Sequence, residues 1–163
     1  REYNIKMTLK CSFVICIGLP ASGKSTWLKR WGQPADIVTL STDDLIEAEA
    51  RRVGKTYDEA WKGYMNTAER LFWKALDEAI KDRKHIIIDR TNMSVKARKR
   101  FFNVLNDLDA RDEYEVNAYV FGLRLPPIEW LTRLGDRPGK AIPGHVLISF
   151  AKNFEYPTRE ERL

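Results

Sequence analysis

Residues 18–26 read "GLPASGKST", and they contain the pattern G-x-x-x-x-G-K-S. The stretch in front, "SFVICI" (12–17), is apolar, rich in β-branched and aromatic residues, and too short for a helix. Such a run reads as a strand buried on both faces. The stretch behind, "KSTWLKRW" (24–31), reads as a helix. A strand, a glycine loop and a helix in that order form the setting in which this pattern cradles phosphate. Chance accounts poorly for it, since roughly one random chain in two hundred would carry the template, before its flanks are considered.

Each position has its own task. Gly18 and Gly23 let backbone amides converge on a phosphate chain at the N-terminus of the following helix. Lys24 supplies a mobile cation for the β- and γ-phosphates, and the Ser25 hydroxyl can ligate Mg²⁺. Gly18, Ala21, Ser22, Gly23, Lys24, Ser25 and Thr26 are therefore the expected nucleotide-holding set, with ATP or another NTP as ligand.

Outward from the loop the pattern repeats. "DIVTL" (36–40), "KHIIID" (84–89) and "YEVNAYVF" (114–121) read as further strands. The longest helical stretch between them is 57–80, where Trp61, Tyr64, Met65, Ala68, Leu71, Phe72, Ala75, Leu76 and Ala79 recur at helical spacing and read as a buried stripe. Thr56 and Glu59 fit a capping box at its start. A helix over 95–108 turns Phe101, Phe102, Leu105 and Leu108 inward. Pro126 and Pro127 suit the first turn of another helix, ending near Leu134, and Pro143 can open a last one reaching about Phe154. Strands alternating with helices predict a three-layer α/β fold with a mainly parallel sheet. Residues 1–10 read as an N-terminal extension, in which Met7 is a possible natural start, and 11–163 as a single domain.

Size and composition narrow the classes. A chain of 163 residues with 44% hydrophobic and 31% charged residues is an ordinary globular domain. No apolar run approaches the ~20 residues of a bilayer span and no secretory leader opens the chain, so a cytoplasmic protein without membrane contact is expected. Cys11 and Cys16 flank one strand and stand roughly 17 Å apart when extended, beyond disulfide reach, so both read as structural thiols. His85 and His145 also read as structural. The net charge of +5 suits a polyanionic partner without demanding one.

Binding a nucleotide does not fix the reaction. NTP-hydrolysing switches and motors use a carboxylate to position water, often a Glu beside the Asp that ends a buried strand. Here "IIID" ends in Asp89 and Arg90 follows. A phosphotransferase needs a base for the acceptor hydroxyl and cations over the moving phosphate. "STDD" places Asp43 and Asp44 after the second strand, at the end that faces the ligand crevice, with one expected to be catalytic and Asp44 to cap the next helix. Arg133, Arg137 and Lys140 cluster before the last helix, where a solvated loop is the plainer reading.

Together "GLPASGKSTW", "STDD", "IIIDRTN", Arg98, "RLGDRPGKAIP" and the closing helix resemble the P-loop polynucleotide 5′-hydroxyl kinases, the end-healing enzymes of bacteriophage and repair systems. The resemblance spans residues 11–154. It implies that Asp43 is the general base, and that Asp89 and Thr91 shape the acceptor pocket. It further implies that 133–142 is a lid whose Arg137 neutralises the transferred phosphate, with Arg133 one turn earlier on the nucleotide. Lys24, Asp43 and Arg137 become the expected catalytic set, Ser25 the Mg²⁺ ligand and 5′-hydroxyl DNA or RNA the substrate, with the oligomeric state left open. Family members often carry an arginine three residues after the base, where this chain has Ile46, and Arg51 or Arg52 is the nearest substitute. Arg98 lies in "KARKR", which reads as a basic helix face. A kinase of a hydroxymethylated DNA base or of a small metabolite is the enzymatic alternative. A non-catalytic nucleotide-dependent nucleic-acid-binding module is disfavoured by the presence of Lys24, Asp43 and Arg137.

Overall fold

A computed structural model describes residues 9–30, 35–122 and 127–162. Trp31, Pro126 and most of the expected N-terminal extension lie outside them. Four strands form the sheet: β1 (Cys11–Gly18), β2 (Ile37–Leu40), β3 (His85–Asp89) and β4 (Tyr114–Phe121), in the order β2-β3-β1-β4. All three pairings are parallel, with Ile15 opposite Ile88 and Cys16 opposite Asp89. Parallel strands need crossovers, and helices α1 (Lys24–Arg30), α2 (Thr42–Val53), α3 (Tyr57–Lys81) and α4 (Val95–Asp107) provide them between successive strands. α5 (Pro127–Gly135) and α6 (Gly144–Lys152) follow β4. This is the expected three-layer α/β fold.

The core explains the strand assignments. Phe13, Ile15, Cys16 and Ile17 of β1 are fully buried, as a central strand covered on both faces must be. Phe72, Leu76, Ala79 and Ile80 of α3 and Phe101 and Leu105 of α4 pack into the same cluster. A smaller cluster of Ile46, Ala50, Ala60 and Ala68 joins α2 to the first half of α3. Burial within β1, together with neighbouring Asp89, pushes the Cys16 thiol up to about 12, so it stays protonated. Among the described residues no helix is long and apolar enough to cross a membrane.

Several expectations change. The capping box at Thr56 and Glu59 is present, but Trp61 on α3 is 47% exposed rather than part of the buried stripe. The α2 cap is Ser41, whose Oγ accepts from the Asp44 amide at 3.2 Å, so Asp44 stands in the first helical turn and is not the cap. A hydroxyl one residue after β2 is already placed to cap, which leaves both aspartates inside the helix. Arg98 is fully buried rather than part of a solvated face. Its guanidinium donates to the Asn92 carbonyl at 2.9 Å and forms a two-pronged pair with Glu161 near the end of the described chain, at 2.8 and 2.9 Å. It thereby ties the loop after β3 to the C-terminal segment.

Candidate active site

The sheet order puts the C-terminal ends of β1 and β3 side by side, where the chain's crossovers diverge toward opposite edges. Open parallel sheets bind ligands at such a point. The phosphate loop leaves β1 there, and the "DRTN" loop leaves β3 there. The Gly18 amide donates to the Thr91 carbonyl at 3.1 Å and stitches the two loops together. A Cβ at Gly18 would stand 2.9 Å from Ser22 Oγ and 3.0 Å from the Phe121 backbone oxygen, so the close approach requires glycine. Gly23 takes φ +97°, the left-handed region that glycine favours.

Between the loops and the later helices opens a cavity of about 680 Å³. Ala21, Gly23, Lys24, Ser25 and Thr26 line its floor, while Asp43, Asp89, Thr91, Arg133 and Arg137 line its walls. Gly18 and Ser22 shape the loop from behind rather than lining the cavity. Arg51 is exposed and lies outside the lining. Ile46 is fully buried between α2 and α3, so an arginine at this place in this chain would have to leave the core.

Lys24 is almost buried, and its ammonium donates to the Gly18 and Leu19 carbonyls at 2.7 and 2.8 Å. Burial lowers its pKa, opposed by the charges of Asp89, Cys16 and Asp43. Asp89 is raised, chiefly by burial and in part by Asp44 and Asp43, although Lys24 pulls the other way. Asp44 is also raised, first by burial and then by Glu47 and Asp43.

Asp43, in the first turn of α2, is held from two sides. The Tyr57 hydroxyl donates to its Oδ1 at 2.7 Å, and Lys140 Nζ lies 3.2 Å from its Oδ2. Lys140 also donates to Glu47 at 2.6 Å and covers the Tyr57 ring at 4.3 Å from the centroid. Burial, then the charge and hydrogen bond of Asp43, push Tyr57 far above the ordinary phenol range, so it remains a donor. Lys140 is only 14% exposed, so this cation is drawn onto the cavity although much of the segment before α6 is solvated. Arg137 lines the cavity, and its Nη1 is buried without a hydrogen-bond partner among the described residues. Arg133, by contrast, is half exposed and pairs with Glu129 at 3.7 Å. Trp130 Nε1 donates to the Pro20 carbonyl at 2.9 Å and fastens α5 to the phosphate loop.

Sequence reasoning did not single out Tyr57, Trp61, Trp130 or Arg90, all of which touch this site or its loops. Tyr57 and Trp61 lie in a helix whose aromatic stripe reads as core in preference to a base-stacking surface, Arg90 stands in "DRTN" without an assigned role, and nothing local marks Trp130. Among the described residues no group of three or more His, Cys, Asp or Glu side chains forms a metal cage. The donor set nevertheless suits Mg²⁺. That ion binds through few protein oxygens plus substrate phosphates, and the exposed Ser25 hydroxyl and the Asp43 and Asp89 carboxylates share the cavity.

The sequence model described as "AAA domain" matches residues 13–157, which spans the loop, the sheet and the cavity walls. The chain belongs to the AAA domain family. Among curated proteins this AAA-domain chain is 26% identical over 165 residues to a bifunctional polynucleotide phosphatase/kinase of Schizosaccharomyces pombe, covering 98% of this chain and 33% of that protein. It is 24% identical over 149 residues to an L-seryl-tRNA(Sec) kinase of Methanococcus maripaludis, covering 88% of this chain and 52% of that one. The chain thus spans a third to a half of these relatives. Among solved structures it is similar in fold to chains of the Pnkp1/Rnl/Hen1 complex. One match has TM-score 0.58, 22% identity and coverage of 90% of this chain and 47% of the other. The second has TM-score 0.53, 20% identity and coverage of 76% and 39%.

Proposed function

We propose that the protein transfers the γ-phosphate of ATP or another NTP to a hydroxyl of nucleic acid, namely the 5′-hydroxyl end of DNA or RNA. One observation carries this reading: a carboxylate fixed by two partners, Asp43, shares a cavity with Lys24 of the phosphate loop and the unsatisfied guanidinium of Arg137. A hydrolase needs only to place water, whereas this cavity offers a base, a donor cradle and a second cation beside Lys24. The relatives named as kinases of polynucleotides and of a tRNA support the same reaction class.

In the proposed reaction Asp43 takes the proton of the acceptor hydroxyl while that oxygen bonds to the γ-phosphorus. The bond from phosphorus to the β–γ bridging oxygen breaks, and the nucleoside diphosphate leaves. Tyr57 donates to Asp43 Oδ1 at 2.7 Å and Lys140 lies farther off, 3.2 Å from Oδ2, so Oδ2 is the less tightly held oxygen and takes the proton. Lys24 exchanges its two carbonyl partners for phosphate oxygens, and Arg137 finds its missing partner in the transferred phosphate. When bound through Ser25 and the phosphates, Mg²⁺ supplies further charge neutralisation on the donor. Residues 133–142 act as the lid, Arg133 steadies the nucleotide, and Asp89 and Thr91 border the acceptor. Residues 11–163 function as one kinase module, and end repair is its physiological use.

The test is transfer of radiolabelled γ-phosphate to 5′-hydroxyl DNA, 5′-hydroxyl RNA, seryl-tRNA, hydroxymethyluracil DNA and free nucleosides in parallel. Labelling of the 5′-hydroxyl ends is expected at the highest kcat/KM. Preference for seryl-tRNA, a modified base or a nucleoside would replace the acceptor. Nucleotide binding without any transfer would overturn the reading.

A further inference from the structure

An acceptor strand carries phosphates beyond its first nucleotide, and something must hold them. Arg51 lies outside the cavity. A second cavity of about 280 Å³ opens beside the first, and Arg90, Thr91 and Phe150 line both. Its charge is set by three groups. Glu69 accepts from Arg90 Nη1 and Nη2, each at 3.1 Å, and lies 3.7 Å from Arg100 Nη1. One carboxylate thus stands between two guanidiniums, leaving a net positive charge. Both guanidiniums are held in place, Arg90 over the Phe72 ring at 4.8 Å and Arg100 over the Trp73 ring at 4.2 Å. Trp73 also stacks on Phe101 at 5.4 Å, which fixes the ring that carries Arg100. The first turn of α4 also faces it through Ser94 and Ala97, with the dipole sign that favours an anion.

We propose that this second cavity binds the phosphodiester that follows the second acceptor nucleotide, with Arg90 and Arg100 as its cationic grip. The proposal rests on the nucleic-acid reading above and deepens it. The strand runs from Asp43 past Thr91, where the cavities meet, to Arg90 and Arg100. Arg90 stands where the "DRTN" loop turns out of β3, so one short loop borders both the reacting end and that phosphate. Guanidinium suits this because its forked donors can keep Glu69 on one side and present further N–H groups to a phosphate on another.

Two measurements on the intact chain decide it. In the first, Kd is measured by fluorescence anisotropy for a 3′-labelled 5′-hydroxyl pentanucleotide, with an unlabelled nucleoside 3′-monophosphate as competitor. In the second, kcat and KM for transfer are compared between the mononucleotide and the pentanucleotide. Arg100→Gln should raise the pentanucleotide Kd and KM about tenfold, the size expected for losing a charge-assisted contact. It should also flatten the salt dependence of binding by about one charge. Mononucleotide binding and transfer should be unchanged, because Arg100 lies outside the reacting cavity. Arg100→Lys should recover part of the affinity. The side chain of Arg100 is 54% exposed, so its replacement leaves the core intact. Equal effects on both lengths, or none on either, overturn the proposal. Transfer that is indifferent to Arg100 defeats this inference and leaves the kinase reading standing. Arg100-dependent oligonucleotide binding without transfer does the reverse.

Discussion

The two walls of the reacting cavity are built from different materials. The phosphate loop grows out of β1, whose Ile15, Cys16 and Ile17 are fully buried, and its first glycine is hydrogen-bonded to the neighbouring loop through backbone alone. The opposite wall, which carries Arg137 and Lys140, is tied by a few exchangeable polar contacts. Asp58 makes both backbone ties: its amide donates to the Gly139 carbonyl at 2.8 Å, and its Oδ2 accepts from the Ala141 amide at 2.9 Å. Gly139 at φ +69° would place a Cβ 2.7 Å from that of Thr56, so this loop sits tightly on the start of α3. The contrast separates rigid from releasable parts. Segments with few buried apolar contacts open at low cost, and a lid must open to admit and release ligands.

The largest effect should come from the rigid wall. Lys24→Ala is expected to cut turnover at least about a thousandfold, since it removes a cation from the moving phosphate. Thermal melting should stay close to wild type, and near-normal turnover in the folded variant would sink the kinase reading. Next is the carboxylate that lines the cavity from the first turn of α2. Asp43→Asn keeps the shape and the Tyr57 contact but cannot take a proton, so single-turnover transfer should fall about a hundredfold. Nucleotide Kd should barely move, and equal losses in both would make Asp43 a binding residue instead.

The lid wall should respond more gently. Asp58→Ala removes one of its two ties and loosens the other, and kcat should fall by about three- to tenfold, with faster nucleotide release in stopped flow. An unchanged release rate would mean that the segment 133–142 is held by Lys140 alone.

The smallest effect is electrostatic and lies at the junction of β1 and β3. Burial raises the Asp89 carboxyl above its ordinary value, so folded Asp89 holds its proton more tightly than the unfolded chain does. Its favourable contribution is complete below the unfolded pKa and is lost as pH rises through the higher folded one. At neutral pH the ionised group therefore weakens the fold. Asp89→Asn should melt about one to three degrees above wild type at pH 7, and the lead should close as the pH falls through the carboxylate range. A lead that persists in acid would trace to packing rather than to charge.

Much of this was legible because it is local. A buried strand announces itself by an unbroken apolar run, and the phosphate loop by glycines that its geometry demands. Thr56 and Glu59 cap α3 as their spacing predicts, because a capping box involves only four consecutive residues. Where the reading failed, a partner distant in sequence decided the outcome. Arg98 sits in a basic run, but Glu161, 63 residues away, draws it fully into the interior. Trp61 fits the helical stripe, yet the cavity leaves that turn of α3 uncovered. Asp44 looks like a cap until Ser41 is found in the better position.

Fold class and the phosphate loop could be read from the chain alone, since the order of strands and helices and the glycine loop depend on short-range sterics and hydrophobic period. The opposite wall of the cavity was settled by long-range packing. It brought Tyr57 and Lys140 onto Asp43 from 14 and 97 positions away, and it set Arg90 and Arg100 around one carboxylate of α3. Contacts of that kind depend on where whole helices come to rest against the sheet, and no local pattern of residues encodes that placement.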